Sequence, residues 1–382
     1  MKRLTLLLLG LTLGVSATAS AQGLTMQMSN GWAFQFGGNV NAFWVFSKET
    51  NSGPTNSSVR TGLLPAFATF EARGKEAGLN LAVHIGFAPQ INTGAEHDHF
   101  GPDAGGAQID MRQVYLTIGF KNGGQILAGR ELGLFDRQNI LNDMTLFGVG
   151  AVGIGAGFTQ GRGTTLGRIA YGYLYPNFVS QITYSTKPGQ AQLSIGLFEP
   201  SVFGSGAYVF TKMPRVEAEF TYNQKSGKNN YTFWVGGLWQ STSNAASGGN
   251  TASSFGGTAG IKAGLSDLSV VVNGYIGRGL GLGLLFSGNE VVVGDTLSKS
   301  DGGYAQVMYK VGPKTNVGAS WGFSRLKFED VVATQFTSTT VGIYHQWTKS
   351  LKLVFEGTRE QEGIGAGSPA QVDISGGFML FY

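Results

Sequence analysis

Phe34-Gln35-Phe36-Gly37-Gly38-Asn39-Val40-Asn41-Ala42-Phe43-Trp44-Val45-Phe46 alternates with a period of two. Its even positions read Phe, Phe, Gly, Val, Ala, Trp, Phe. Its odd positions are Gln, Gly and Asn until Phe43 and Val45 break the pattern. Alternation over this length is a β-strand whose two faces meet different environments. The pattern recurs. Leu79, Leu81, Val83, Ile85 and Phe87 alternate with Asn80, Ala82, His84 and Gly86. Val216, Ala218, Phe220 and Tyr222 alternate with Arg215, Glu217, Glu219 and Thr221, and Val317, Ala319, Trp321 and Phe323 with Gly318, Ser320 and Ser324. No long segment carries a 3.6-residue period with helix caps. After Ala21 no apolar stretch approaches the ~18 residues of a spanning helix, which excludes a helical membrane protein.

Composition agrees with an exported, ordered chain. Of 382 residues 61 are Gly and 10 are Pro, with no Gly-X-Y period, so collagen is excluded. Charged residues are 13%, about half the usual share for soluble domains. A net charge of +4, scattered along the chain, gives no footprint for nucleic acid. The absence of Cys removes disulfides, thiolate metal sites and a cysteine nucleophile. Lys2 and Arg3 precede an apolar run from Leu4 to Val15 and then Ala19-Ser20-Ala21. This is the pattern of a signal peptide over residues 1–21, cleaved before Gln22, with residues 22–382 as one mature domain. An exported chain without Cys fits a bacterial envelope.

Two architectures alternate in this way, a soluble β-sandwich and a membrane barrel. Three features favour the barrel. The strands are about ten residues long, as a tilted bilayer-crossing strand must be. Aromatics cluster near strand ends, as at Trp32/Phe34, Trp44/Phe46, Trp239, Trp347 and Phe378/Phe381/Tyr382. The polar faces carry charges inside strands, which a sandwich core would not tolerate. Sixteen strands are expected, at 33–47, 60–75, 79–89, 109–120, 125–131, 166–186, 190–199, 214–223, 230–241, 255–265, 268–278, 302–310, 315–325, 338–347, 351–360 and 371–382. Residues 166–186 contain Pro176 and are taken as one long, bent strand. Short links such as Glu76-Ala77-Gly78 alternate with long ones such as 49–59, 90–108, 132–165, 279–301, 327–337 and 361–370. The expected fold is therefore all-β: a transmembrane, antiparallel, up-and-down barrel with short turns on the periplasmic side.

Arg112-Gln113-Val114-Tyr115-Leu116-Thr117-Ile118-Gly119 through Gly124-Gln125-Ile126-Leu127-Ala128-Gly129-Arg130 resembles the Arg-Gln-x-Tyr…Gly…Gly-Arg signature of Gram-negative general diffusion porins. Arg168-Ile169-Ala170-Tyr171…Pro176-Asn177-Phe178 is similar to their sixth strand, and Pro214-Arg215-Val216-Glu217 to a later one. The chain ends Phe378-Met379-Leu380-Phe381-Tyr382, like the C-terminal signal of outer-membrane barrels, with Tyr where Phe is usual. The resemblance covers the mature chain in architecture and is confined to these short motifs at residue level. It implies a homotrimer in the Gram-negative outer membrane, in contact with lipid and lipopolysaccharide. It implies a water-filled channel for passive diffusion of small hydrophilic solutes and ions, without a cofactor. It also implies a third loop that folds inward and narrows the pore, here the segment 132–165. That loop is Gly-rich and apolar from Leu146 to Gly157 and lacks the acidic cluster of the family, so the resemblance carries no expectation of strong cation selectivity.

With the apolar parity outward, the inward charges are Glu71, Arg73, Arg130, Arg168, Arg215, Glu217, Glu219, Lys262, Lys352, Glu356 and Asp373, a nearly neutral wall. Opposed basic and acidic side chains would set a transverse field at a constriction. Arg130 and Arg168, with Arg73 and Arg215 on the wall, are the candidates for the basic side. Glu131, Asp136 and Asp143, with Glu217 and Glu219 on the wall, are candidates for the acidic side. The alternative is that these residues pair with one another and pin the loop to the wall. Tyr171, Tyr173 and Trp234 would form an aromatic slide, as in sugar-selective porins, only if the parity bends there.

Other motifs carry less. Gly318-Ala319-Ser320-Trp321-Gly322 matches a nucleophile elbow but lies within a strand with no helix after it. Gly279 to Phe286 has no helix behind it to bind phosphate. Glu96-His97-Asp98-His99 reads as a solvated loop or a subunit contact rather than a metal site, and His84 and His345 read as wall residues. The competing function is a barrel with another task, an enzyme or an adhesive or structural protein. No Ser/His/acid set supports the enzyme, and no long repetitive loop supports the adhesin.

Overall fold

The computed structural model describes residues 23–50, 53–91, 109–154, 164–202, 208–244, 249, 251–286, 296–329, 331–365 and 367–382. The expected signal peptide and the His97/His99 loop lie outside the described residues.

The alternating stretches form β1 (Leu24–Gln27), β2 (Ala33–Glu49), β3 (Thr55–Arg60), β4 (Phe67–Glu76), β5 (Leu79–Pro89), β6 (Ile109–Gly119) and β7 (Gln125–Leu132). A short helix, α1 (Arg137–Asn142), and a 3-10 turn at Met144–Phe147 interrupt them. There follow β8 (Phe178–Ser185), β9 (Ala191–Phe198), β10 (Tyr208–Phe210), β11 (Arg215–Ser226), β12 (Asn229–Asn244), β13 (Thr251–Leu265) and β14 (Leu268–Arg278). The chain ends with β15 (Lys299–Lys310), β16 (Thr315–Phe328), β17 (Val331–Gln346), β18 (Leu351–Glu362) and β19 (Ala370–Phe381). Each wall strand pairs antiparallel with its neighbour, and β19 closes on β2 with Phe378 opposite Ala42. With β3 and β4 counted as one crossing, and β1 and β10 as additions at the rims, the ring has sixteen strands. Closure leaves no free edge, the condition for a sheet in lipid.

Polarity is inverted relative to a soluble domain. On β18, Phe355 is 56% exposed while Lys352, Val354, Glu356, Thr358 and Glu360 are buried. The outward rows of β9 (Leu193, Ile195, Leu197) and β17 (Val341, Ile343) are likewise exposed. An apolar belt of this kind is stable only against hydrocarbon. At one rim the connections are tight. Ala77 and Gly78 both have positive φ (47° and 82°), as the two-residue turn between β4 and β5 requires.

Several expected spans need correction. Residues 164–177 are not strand. They run through the barrel interior, and the sixth crossing, β8, starts only at Phe178. The crossing expected at 60–75 is split, because residues 61–66 leave the sheet and bulge inward between β3 and β4. Opposite this gap Asn41 accepts from the Gly62 N–H (2.9 Å) and donates to the Leu64 carbonyl (2.9 Å), supplying the missing ladder bonds. The links 49–59, 327–337 and 361–370 are shorter than expected, because segments without strict alternation, such as Val331–Thr337, continue the sheet. Strands that project beyond the bilayer lose the apolar alternation that marks them in sequence.

The core lies in the lumen. Between β7 and β8 the chain leaves the wall at Gly133 and returns at Asn177. Its apolar side chains pack on the inner wall in separate clusters. Phe135 and Leu174 meet Leu280 and Leu285. Ile140 and Leu146 meet Leu63, Trp234 and Tyr304. Val149 and Val152 meet Phe43, Val354 and Met379. The Gly-rich, apolar loop is thus an internal core segment, which is why it lacks the polarity of a solvated loop.

Candidate functional site

The inner loop is held first by β11. Glu217 Oε2 accepts from the backbone N–H of Leu134 (2.7 Å) and Phe135 (2.9 Å), and Glu217 pairs with Arg215 at 2.8 Å. Glu219 takes Arg137 Nη2 at 2.6 Å and Gln138 Nε2 at 3.1 Å. Asp136 precedes α1 with φ 61°, and accepts from Asn139 Nδ2 (2.6 Å) and the Leu174 N–H (2.9 Å). Burial pushes its carboxyl up to about 7 against these hydrogen bonds. Asn139 is fixed by Trp234 Nε1 (2.8 Å) and by the Tyr304 hydroxyl donating to its carbonyl (2.7 Å). Asp143 accepts from Thr145 N–H (2.9 Å) and the Tyr173 hydroxyl (3.0 Å). Burial raises its carboxyl also, opposed first by Arg168.

The second half is held by β18, seven positions away in the sixteen-strand ring and almost opposite β11. Glu356 Oε2 accepts from Val149 N–H (2.7 Å) and Gly150 N–H (2.8 Å), and Oε1 accepts from the Tyr344 hydroxyl (2.5 Å). Glu360 accepts from Val152 and Gly153 (3.3 and 3.1 Å), and Glu362 from Ile154 (3.3 Å). A Cβ on Gly148 would lie 2.1 Å from Glu356 Oε1, so the close approach requires glycine. On the return, Arg168 donates to Ser320 Oγ (2.9 Å) and its carbonyl (2.7 Å), and to Ser338 Oγ (3.0 Å). Wall carboxylates satisfy backbone N–H groups of the buried loop, and wall serines satisfy the loop's own Arg168, without which the loop could not leave water.

The expected constriction residues divide accordingly. Arg168, Arg215, Glu217, Glu219, Asp136 and Asp143 are all at most 5% exposed. They are brought together with the loop and consumed in holding it. Arg130 is a correction: it stands opposite Val114 and Ser180 on the lipid-facing row and is exposed. Adjacent strand residues cannot share a face, and Glu131 takes the inward place, accepting from Gln113 Nε2 at 2.8 Å. Tyr171, Tyr173 and Trp234 are buried, so no aromatic slide meets solvent. Trp234 faces inward after all, since Phe233 and Val235 take the lipid side. Both Glu360 and Glu362 continue the inward parity of Glu356; Glu362 lies beyond the expected strand end at 360, whereas Glu360 lies within that strand and is missing from the inward charges read from the sequence. The serines opposite Arg168 carried no sequence signal.

Free space lies beside β4–β7. A recess of about 580 Å³ near the short-turn rim is lined by Gln35, Glu71, Arg73, Tyr115, Thr117 and Gln125, among others. Here Arg73 pairs with Glu71, Glu71 meets His84 Nδ1 at 3.2 Å, and His84 stacks on Tyr115 with ring centroids 4.8 Å apart. Further along the same strands, toward the loop rim, Phe67, Arg112 and Leu132 line a second recess of about 270 Å³.

The family model for Gram-negative porins matches residues 5–363. The chain belongs to the Gram-negative porin family. No curated protein gives a significant match. Among solved structures, this porin is similar in fold to the outer membrane channel DcaP of Acinetobacter baumannii, at 13% identity and a TM-score of 0.66. That alignment covers 94% of this chain and 99% of that one. The anion-selective porin from Comamonas acidovorans aligns at 12% identity and a TM-score of 0.65, covering 92% of this chain and 100% of its own. OmpF of Salmonella typhi, in complex with daunomycin, aligns at 9% and 0.58, covering 94% and 100%. The porin is thus an outer-membrane β-barrel channel for passive diffusion, and family and fold point to a channel rather than an enzyme.

Proposed function

We propose that this porin passes small hydrophilic solutes and ions along the β4–β7 side of its lumen, as a homotrimer in contact with lipid and lipopolysaccharide, and that it has no enzymatic activity. One observation carries the route. The inner loop is bonded mainly to β11, β12 and β15–β18, with Tyr175 also held by Arg112 of β6, and the space it leaves is beside β4–β7, where the two recesses succeed each other along β4, β6 and β7. The solute-facing charges are then Glu71, Arg73 and Lys75 in the first recess and Arg112 in the second, while Arg168 and the loop acids serve as fasteners. The trimer is supported by the family and by the trimer form of Vibrio cholerae OmpT, which aligns at 13% identity with a TM-score of 0.55. Liposome swelling tests the reading. Vesicles holding the porin swell in small sugars and amino acids, at rates that fall with solute size. Vesicles that stay unswollen in every solute would overturn it.

A further inference from the structure

We propose that the recess nearer the loop rim binds small amphipathic carboxylates, molecules with an apolar body and one anionic head. This rests on the solute route placed along β4–β7. The recess, about 270 Å³, is below the usual range for drug-sized ligands, so the body holds few carbons. Its walls are apolar: Leu63 and Phe67 from the barrel, Ile140, Leu146 and Ile169 from the loop. Such walls are foreign to a path built only for hydrated solutes.

Five polar residues break this surface, Arg112, Thr164, Thr165, Tyr175 and Asn177, and two of them bear on a ligand. Arg112 is the only charged side chain among the described residues of the lining. Its Nε donates to Asp110 at 2.8 Å and its Nη1 to the Tyr175 hydroxyl at 3.2 Å, while the guanidinium lies 5.6 Å from the Phe178 ring centroid. These contacts fasten the returning loop to β6. They leave Nη2 without a hydrogen bond among the described residues. Thr165 is the second group. It is 1% exposed, and its Oγ1 has no partner among the described residues. The loop-fastening contacts use neither atom, which leaves both available to a ligand. A carboxylate entering head first takes a charge-assisted bond from Arg112 and a second bond from Thr165, while its carbon chain or ring covers the leucines.

Calorimetry on the detergent-solubilised porin uses phenylacetate, with acetate as head without body and benzyl alcohol as body without charge. Phenylacetate is expected to bind about tenfold more tightly than either control and to interrupt the ion current in planar bilayers. Arg112→Gln abolishes the preference over benzyl alcohol, and Thr165→Val weakens phenylacetate about threefold. Phenylacetate binding no better than benzyl alcohol, or equally well to Arg112→Gln, overturns the site. Should Arg112→Gln fail to form a heat-modifiable barrel, the buried and isosteric Thr165→Val decides, and unchanged affinity there counts against the proposal. An open channel without binding overturns the site alone. Binding without conductance overturns the solute route and leaves the site standing.

Discussion

Glu356 of β18 lies with Oε2 2.7 Å from the backbone nitrogen of Val149, a residue 207 positions earlier that has crossed the lumen to reach it. The carboxylate also takes Gly150 N–H and the Tyr344 hydroxyl. Glu356→Ala leaves three buried donors without an acceptor, at a cost of about 3 kcal/mol. The expected outcome is a barrel that still folds but whose single-channel current is larger and noisier, because the loop is released from one wall. Wild-type conductance and noise in this variant would show that the bonds do not hold the loop.

Arg73 and Arg168 separate two roles for a luminal cation. Arg73 lines the open recess, whereas Arg168 is 0% exposed and spent on Ser320 and Ser338. Arg73→Gln is expected to move the zero-current potential in a salt gradient toward cations. Arg168→Gln is expected to lower thermal stability by about 2–4 kcal/mol and to leave that potential in place. A shift with Arg168→Gln equal to that with Arg73→Gln would return Arg168 to the pore.

Asp136 gives the loop a pH dependence whose sign is fixed. Its carboxyl is pushed up to about 7 by burial, with Glu217 raising it further. The docked loop therefore holds this proton more tightly than the released loop. The stabilisation is complete below about pH 4 and is lost as pH rises through 7. Asp143 is shifted upward as well, so it acts in the same sense. Melting in detergent is expected at a higher temperature at pH 5 than at pH 8, with a smaller difference in Asp136→Asn.

Gly150 sits at φ +58°, and a Cβ there would lie 2.5 Å from the Gly167 Cα. Gly150→Ala combines a left-handed backbone with a backbone clash and is expected to cost about 2 kcal/mol or more. Limited proteolysis checks it: the loop is cut faster than in wild type while the barrel strands stay resistant.

The barrel was legible because lipid imposes alternation, and stretches such as Leu79–Phe87 obey it residue by residue. Legibility failed where lipid stops acting. The strand ends beyond the bilayer, as in Val331–Thr337, mix Val, Ala and Phe with Thr and Gln on both faces without alternation and read as loop. The passage 166–177 read as strand because its Arg-x-x-Tyr motif resembles one, although its side chains serve a core inside the lumen. The candidate site was legible as a set of inward charges, since Glu217, Glu219 and Glu356 follow from parity. Their use as anchors was not, because the partners of Glu356 are backbone N–H groups, which every residue carries and no sequence marks. Arg130 shows the limit of motif reading, since one step of parity moves a side chain from water to lipid.

The most direct test of the account is the single-channel conductance of the purified protein in a planar bilayer under a salt gradient. Discrete, stable steps, commonly in threes, are expected, with a reversal potential that responds to Arg73. A folded, heat-modifiable barrel that passes no current would contradict it, and would mean that the loop bonded between Glu217 and Glu356 closes the lumen.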